Sequence, residues 1–489
     1  MYYNLETITA KSYEGNLIVL YGDEVADRAL PLGRKELDVV KNRRAAERDF
    51  VLAFDRLPYH IYIVSFDSER PAPECQERLR CAARKVLDML TAYADADAAV
   101  TAVGTLPEEV AAFIEGLTLA DYRFERFVGK PKHHLLSLDI DKTFLHKDEL
   151  EASMRLWNRI FWCREWVNMP GADLTAASFA DELASIASSL PKVSCTVMDK
   201  KKIESLRMGG LLAVNRGSVE EPRFVVLEYR GTASSEKPIV LVGKGVMFDS
   251  GGLNIKPGDY MCEMKSDMAG AATMASVLFA AADNALPVNV TAVLPMTDNR
   301  PSASAYAPDD LLTMYDGTTV EVVNTDAEGR LILADAIAYA ARNLDPRLII
   351  TAATLTGAAV RAISTFGIAA MQQNADAPMT MLRLLGDQVY ERLVEFPLWR
   401  EYDEMIKSDF ADLRNSTASP QAGTITAGKF LAHFAGEVPF IHLDIAGVAY
   451  FTKAQQYYRP GASGYGMRLL YAYLQMQDMI NNNTQKLKR

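Results

Sequence analysis

Short apolar runs recur along the chain, separated by charged stretches with helical spacing. Near the N-terminus, Leu17-Ile-Val-Leu and Ile61-Tyr-Ile-Val alternate with helix-prone segments such as Gly33 to Asp49, which predicts a small α/β domain. The polar, proline-broken stretch Gly129-Lys-Pro-Lys-His-His reads as a domain edge, and a boundary between residues 130 and 150 follows. Lys147 to Val167 has helix-forming composition and leads through the turn-like Asn168-Met-Pro-Gly171 into a second domain. The expected division is residues 1–145 and 146–489.

In the larger part, the β-type runs Phe224-Val-Val-Leu, Ile239-Val-Leu-Val, Asn289-Val-Thr-Ala-Val-Leu and Arg347-Leu-Ile-Ile-Thr alternate with helix candidates Asp267 to Asn284 and Leu331 to Asn343. That pattern predicts a mixed or mostly parallel sheet covered by helices, with chemistry in the loops that follow the strands. The fold class is therefore α/β. A small N-terminal α/β domain precedes a larger α/β domain with a mixed central sheet covered by helices. Ser416 to Gly423, rich in small polar residues, is expected to be an exposed loop.

Composition narrows the function classes. The chain has 489 residues, 49% hydrophobic and 24% charged, as an ordinary folded protein of two or three domains does. Its net charge of −11 and pI near 5.3 disfavour nucleic acid and anionic membrane as partners. The run Lys200, Lys201, Lys202 lies beside Asp199 and Glu204 and reads as a solvated face. The five cysteines, at 75, 81, 163, 195 and 262, are odd in number and form no CxxC pair. A disulfide framework or cysteine zinc site is not expected, and a reducing compartment fits. The N-terminus shows no basic region followed by an apolar one, and no stretch is long enough to span a bilayer, so the expected location is cytoplasmic.

Candidate chemistry concentrates in two places. After the strand at Ile239 comes Gly243-Lys-Gly-Val-Met-Phe-Asp-Ser-Gly-Gly-Leu-Asn-Ile-Lys256-Pro-Gly. Its glycines suggest a phosphate loop, but a P-loop would need glycine where Pro238 stands and Ser or Thr where Gly245 stands. The dinucleotide fingerprint fails as well, with Phe248 at its third glycine position. What remains is Lys244, Asp249 and Lys256 on a glycine-rich loop, with Asp267 at the start of the next helix candidate. Charges among Val246, Met247 and Phe248 are costly to bury unless paired or metal-bound.

The second cluster is Asn324-Thr-Asp326-Ala-Glu328-Gly-Arg330-Leu. An extended reading places Asp326 and Glu328 on one side of the segment. Three aspartates, one glutamate and a lysine amine make a hard, oxygen-rich set suited to a pair of divalent ions such as Mg, Mn or Zn. A lysine ligand must be neutral, so binding would release its proton. Taken singly, each residue has a bland alternative: Asp267 as a helix cap, Lys244 and Arg330 as ion-pair partners, Met264 and Met268 as core or pocket wall. His442, in the apolar run Phe440-Ile-His-Leu-Asp, reads as structural. The concentration of charged residues outweighs these separate alternatives.

At these residues the sequence resembles the leucyl aminopeptidase family of metallopeptidases, also called cytosol aminopeptidases. The match at 324–331 is the most specific, and Val167-Asn-Met-Pro-Gly-Ala-Asp-Leu-Thr, Thr354-Leu-Thr-Gly-Ala and His442-Leu-Asp-Ile-Ala-Gly extend it from about residue 160 to the C-terminus. The resemblance implies that Asp249 and Glu328 bridge two metals, Asp326 holds one ion, and Lys244 with Asp267 holds the other. Lys256 and Arg330 match the catalytic residues that are not ligands. Met264, Thr354 and Gly357 look similar to residues lining a hydrophobic substrate pocket, and Asn324 is counted with them.

The resemblance further implies a macro-like type for the N-terminal domain, two ions per subunit, Zn or Mn with Mg as a third choice, a bicarbonate anion at Arg330, and a homohexamer. The implied reaction releases N-terminal residues, leucine and other apolar ones preferred, from peptides with a free N-terminus. Two departures from the pattern concern pocket shape: Ser266 stands between Lys265 and Asp267, and Arg361-Ala-Ile-Ser follows the Thr-Gly-Ala motif where an apolar, glycine-containing stretch is usual. Competing readings are another two-metal hydrolase, such as a phosphatase, and a nucleic-acid-binding regulator, which the acidic balance opposes.

Overall fold

Two units make up the chain, residues 1–161 with 451–461, and residues 162–450 with 462–489. The computed structural model describes residues 4–8, 14–22, 29–92, 97–130, 134–135, 137–232, 235–417 and 421–487. Parts of two predicted loops, residues 131–133 and 418–420, therefore lie outside the described residues.

In the first unit a six-stranded sheet runs in the order Asn4–Ile8, Ser137–Asp141, Asp97–Val103, Asn16–Tyr21, His60–Ser65, Phe50–Asp55. Every neighbouring pair is parallel except the last, which is antiparallel. The runs Leu17-Ile-Val-Leu and Ile61-Tyr-Ile-Val form two adjacent strands, and the Gly33 to Asp49 segment forms the helix Arg34–Ala46. Helices Ala72–Ala92 and Pro107–Asp121 pack against each other at Gly116, where a Cβ would lie 2.4 Å from the Arg80 backbone.

The second unit is built on a mixed sheet. Its main path is Leu393–Glu395, Ile368–Gln373, Phe440–Asp444, Leu348–Ala353, Ile239–Gly243, Asn289–Asn299, Arg223–Arg230, Val193–Met198. All five residues of Ile239–Gly243 are buried, as a strand covered on both faces requires. Val240 and Val242 share a core with Leu331 and Ile332 of helix Glu328–Asn343 and Phe430 of helix Gly423–Ala435. Helix Ala269–Asp283 packs on the same strand but contributes nothing to that core, so it covers the opposite face.

The four strands Phe440–Asp444, Leu348–Ala353, Ile239–Gly243 and Asn289–Asn299 run parallel to their neighbours in this set. Their carboxyl ends thus deliver Asp444, Thr354, Lys244 and Asn299 to one edge of the sheet. The short strand Gly245–Asp249 pairs with the end of Asn289–Asn299 and sets Asp249 opposite Asn299. This edge is where an open α/β sheet offers a crevice.

Candidate metal centre and adjoining cleft

Backbone closeness brings the first cluster together. A Cβ on Gly270 would lie 2.1 Å from the carbonyl oxygen of Ala352 and 2.8 Å from the Lys244 nitrogen, so helix Ala269–Asp283 begins directly against the strand ends. Asp267 precedes it in the 3-10 turn Met264–Met268. Asp267 does not cap the helix; Met268 occupies the cap position without a side-chain bond. Its carboxylate instead lies 2.7 Å from Lys244 Nζ and accepts a 2.7 Å hydrogen bond from Thr354 Oγ1.

The second cluster reaches the same place by a turn. Beyond the short strand Thr319–Glu321, Asn324 Oδ1 accepts the Asp326 N–H at 2.8 Å, and the helix begins at Glu328. Asp326 and Glu328 are therefore aimed by a side-chain-closed turn and a helix start, not by strand alternation. Thr325 locks the turn to the glycine loop, donating to Gly251 O at 2.6 Å and accepting from Asn254 N at 2.8 Å. Gly329 makes room: a Cβ there would sit 2.4 Å from Lys244 Cε.

Lys244 Nζ consequently lies 2.8 Å from Glu328 Oε1 as well as against Asp267. Lys256 Nζ lies 2.8 Å from Asp249 Oδ2 and 2.6 Å from Asp326 Oδ1. Asp249 Oδ1 accepts from Gly251 N and Asn299 Nδ2, each at 2.9 Å. Lys244, Asp249, Asp267 and Glu328 are almost wholly buried.

Four carboxylates thus face two lysine ammoniums, and the imbalance shows in their proton affinities. Burial, then the negative charge of Asp249, pushes the Glu328 carboxyl up to about 8. Burial likewise raises Asp267 to about 6, and burial with the Asp249 charge raises Asp326. Burial alone would lower Lys244, but the charges of Asp267, Glu328 and Asp249 outweigh it and hold the ammonium well above its ordinary range. Lys256 is raised for the same reason.

This surplus of buried negative charge fits a cation. Asp249, Asp326 and Glu328 each offer an oxygen, all within 4.8 Å of one another. The buried Glu328 Oε2 has no hydrogen-bond partner. Such an all-oxygen set suits Mg, Mn or Zn.

Beside the carboxylates opens a cleft of about 410 Å³, whose lining includes Asn324, Asp326, Arg330, Gly357, Arg361 and Thr426. Arg330 is buried and donates to Asn415 O at 2.7 Å. Burial lowers it to about 10, partly offset by Glu328, so it stays cationic at neutral pH.

Comparisons with known proteins give the family. The family described as "Cytosol aminopeptidase family, catalytic domain" matches residues 161–471. A probable cytosol aminopeptidase from Syntrophotalea carbinolica is 43% identical over 381 residues, 76% of each chain. One from Chlorobaculum parvum is 38% identical over 502 residues, covering 96% of this chain and 99% of that one. This chain belongs to the cytosol aminopeptidase family.

It is accordingly a metal-dependent aminopeptidase, a hydrolase acting on peptides. Among solved structures, a mutant of tomato leucine aminopeptidase superposes with TM-score 0.84 at 26% identity, covering 97% of this chain and 96% of that one. The bottromycin maturation enzyme BotP in complex with Mn gives 0.83 at 27% identity, covering 95% and 100%.

In this family member the pocket candidates divide. Asn324 and Gly357 line the cleft, whereas Thr354 and Met264 stand beside Asp267, one as its hydrogen-bond donor and the other opening its turn. Met268 is core. His442 is buried, with Nδ1 2.7 Å from Thr351 Oγ1, and burial, then the Arg330 charge, pulls it down to about 3.

Sequence reading missed the polar layer that supports these residues. Asn415 Nδ2 donates to Asn324 O at 2.8 Å, and its Oδ1 accepts from Val323 N at 2.8 Å. Asn299 Nδ2 joins Asp249 to Thr325 O. Position gave one usable signal for Asn299, at the end of a long apolar strand. Asn415 carried none.

Proposed function

We propose that the chain removes N-terminal residues, leucine and other apolar ones preferred, from peptides with a free N-terminus, using two divalent ions held by its own carboxylates and one lysine. In this reading Asp249 and Glu328 would serve the pair together, and Asp326, Asp267 and Lys244 would complete the set that holds it. Zinc or manganese suits the set, with magnesium a further choice. Residues 146–489 are then the catalytic domain. The observation that carries the proposal is the buried carboxylate excess, with Glu328 Oε2 unpartnered at its centre.

When bound, such a pair supplies Lewis acidity toward the scissile carbonyl and a more acidic water. The remaining work falls to side chains. Lys244 has to give up its proton to serve as a ligand, so loading is proton-linked and weakens as pH falls. Lys256, kept cationic by Asp249 and Asp326, would stabilise the oxyanion of the tetrahedral intermediate. Arg330, cationic and lining the cleft, would hold an anion there, bicarbonate by resemblance, which would supply a general base. A cytoplasmic homohexamer completes the proposal.

Hydrolysis of leucine p-nitroanilide, with and without added Mn²⁺ or Zn²⁺, tests it. Metal-dependent release is expected, and Asp326→Ala should lower turnover at least about 10³-fold, about 4 kcal/mol. Metal-loaded wild type that hydrolysed neither this substrate nor unblocked peptides would sink the reading.

A further inference from the structure

The cleft beside the carboxylates has a feature unrelated to metal binding. Arg361 sits in the short helix Gly357–Ile363 and lines the cleft with Asp326 and Arg330. Gly357, one helical turn earlier, borders its guanidinium: a Cβ on Gly357 would lie 3.4 Å from one of the Arg361 terminal nitrogens, at the edge of ordinary contact.

The helix is firmly placed. Thr356 Oγ1 accepts the Ala359 N–H at 3.0 Å and donates to the buried Asp444 at 2.7 Å. Arg361 is thus held by an anchored base on the wall of the cleft, exposed to whatever enters it. Among the described residues no carboxylate pairs with it.

The charge of the cleft follows. Its lining carries two guanidiniums, Arg330 and Arg361, and one carboxylate, Asp326, which is already engaged by Lys256. Arg361 is itself exposed on the cleft wall, free to meet a carboxylate, and a planar guanidinium matches a carboxylate through two parallel hydrogen bonds.

We propose that Arg361 is a specificity-determining residue that recognises a carboxylate on the substrate peptide, so that a substrate carrying an acid is favoured over its matched amide, alongside the apolar preference for the released residue. This rests on the aminopeptidase reading above. The carboxylate has two sources: the side chain of the residue being released, or the part left behind, as an acidic second residue or the free C-terminus of a dipeptide.

The test compares kcat/KM within matched pairs for the metal-loaded wild type, Arg361→Gln and Arg361→Glu. Glutamic acid p-nitroanilide against glutamine p-nitroanilide reads the released side chain. Leu-Asp amide against Leu-Asn amide reads the second residue, and Leu-Gly against Leu-Gly amide reads the terminal carboxylate. The wild type is expected to favour the acid in at least one pair by about fivefold, the scale of a partly exposed ion pair. Arg361→Gln should bring that ratio close to one, and Arg361→Glu should invert it.

Ratios that are the same in all three proteins would overturn the proposal while leaving the aminopeptidase reading intact. Should the wild type hydrolyse nothing, that reading fails, and calorimetric binding of glutarate against its diamide decides the matter. Weaker glutarate binding in Arg361→Gln supports Arg361 as a carboxylate site; equal binding overturns it.

Discussion

The two units carry sheets of related design but use their strand ends differently. In the first, the carboxyl ends of Asn16–Tyr21 and Asp97–Val103 close on each other: a Cβ on Gly22 would lie 2.3 Å from Gly104 O. The cation there, Arg44, donates to Tyr21 O, Gly22 O and Ser65 Oγ. In the second unit the corresponding edge opens on a cleft of about 410 Å³ and gathers four carboxylates around two lysines. Sheet topology supplies an edge, and the residues placed on it decide whether chemistry is possible.

The sharpest way to test that contrast is to unbalance a charge in the first unit. Arg80 is buried between Glu115, 2.6 Å away, and Glu77, 3.3 Å away. Arg80→Met removes the cation and leaves buried carboxylates behind, so a loss of about 3–5 kcal/mol is expected from urea unfolding. Turnover per folded molecule should stay constant. A loss under about 1 kcal/mol would mean the pairing there is dispensable and the contrast overstated.

Next in size is Lys256→Ala. It removes a cation from the second unit's edge, where the proposal gives it a role in turnover. A drop in kcat of roughly 10²-fold, near 3 kcal/mol, is expected with metal content unchanged by elemental analysis. Lost metal at the same protein concentration would make Lys256 a structural counter-charge to Asp249 and Asp326.

The long apolar runs made the sheet legible in sequence. Ile239–Gly243 and Asn289–Asn299 are buried along their whole length, so burial is written into every residue. The carboxylate clusters were legible because charges embedded in such runs have no inexpensive structural explanation. What escaped was direction. Asp326 and Glu328 read as neighbours on an extended segment, yet the Asn324 side chain closes a turn and the helix takes over at Glu328. Nor could spacing reveal Asn415, which reaches Asn324 from 91 residues away. Long-range polar support has no period.

Gly329→Ala separates stability from site assembly. Alanine in a helix interior is favoured over glycine by about 1 kcal/mol, which offsets part of an overpacking cost of about 1–3 kcal/mol, so the fold should hold with a modest loss of stability. The new methyl would press within 2.4 Å of Lys244 Cε and disturb the amine between Asp267 and Glu328. Metal affinity by competition with a chelator should fall roughly tenfold, about 1.4 kcal/mol. Unchanged affinity would show that Lys244 is free to move and that the glycine is not required.

The smallest effect expected lies in the first unit and concerns protons. His134 Nδ1 lies 3.3 Å from Asp121 and Nε2 2.9 Å from Glu125. The hydrogen bond to Asp121 raises the imidazole above its ordinary value against the opposing effect of burial, and Glu125 adds to the rise. Because the folded value lies above the unfolded one, the stabilisation is fully present below about pH 6.5 and is lost as pH climbs through the folded value. His134→Gln should therefore cost up to about 1 kcal/mol at pH 6 and nearly nothing at pH 9, read from urea midpoints at both. A difference that did not change with pH would assign His134 to packing alone. The predicted pH dependence would instead show that this unit balances its charge with a proton, where the second unit's carboxylate excess calls for metal.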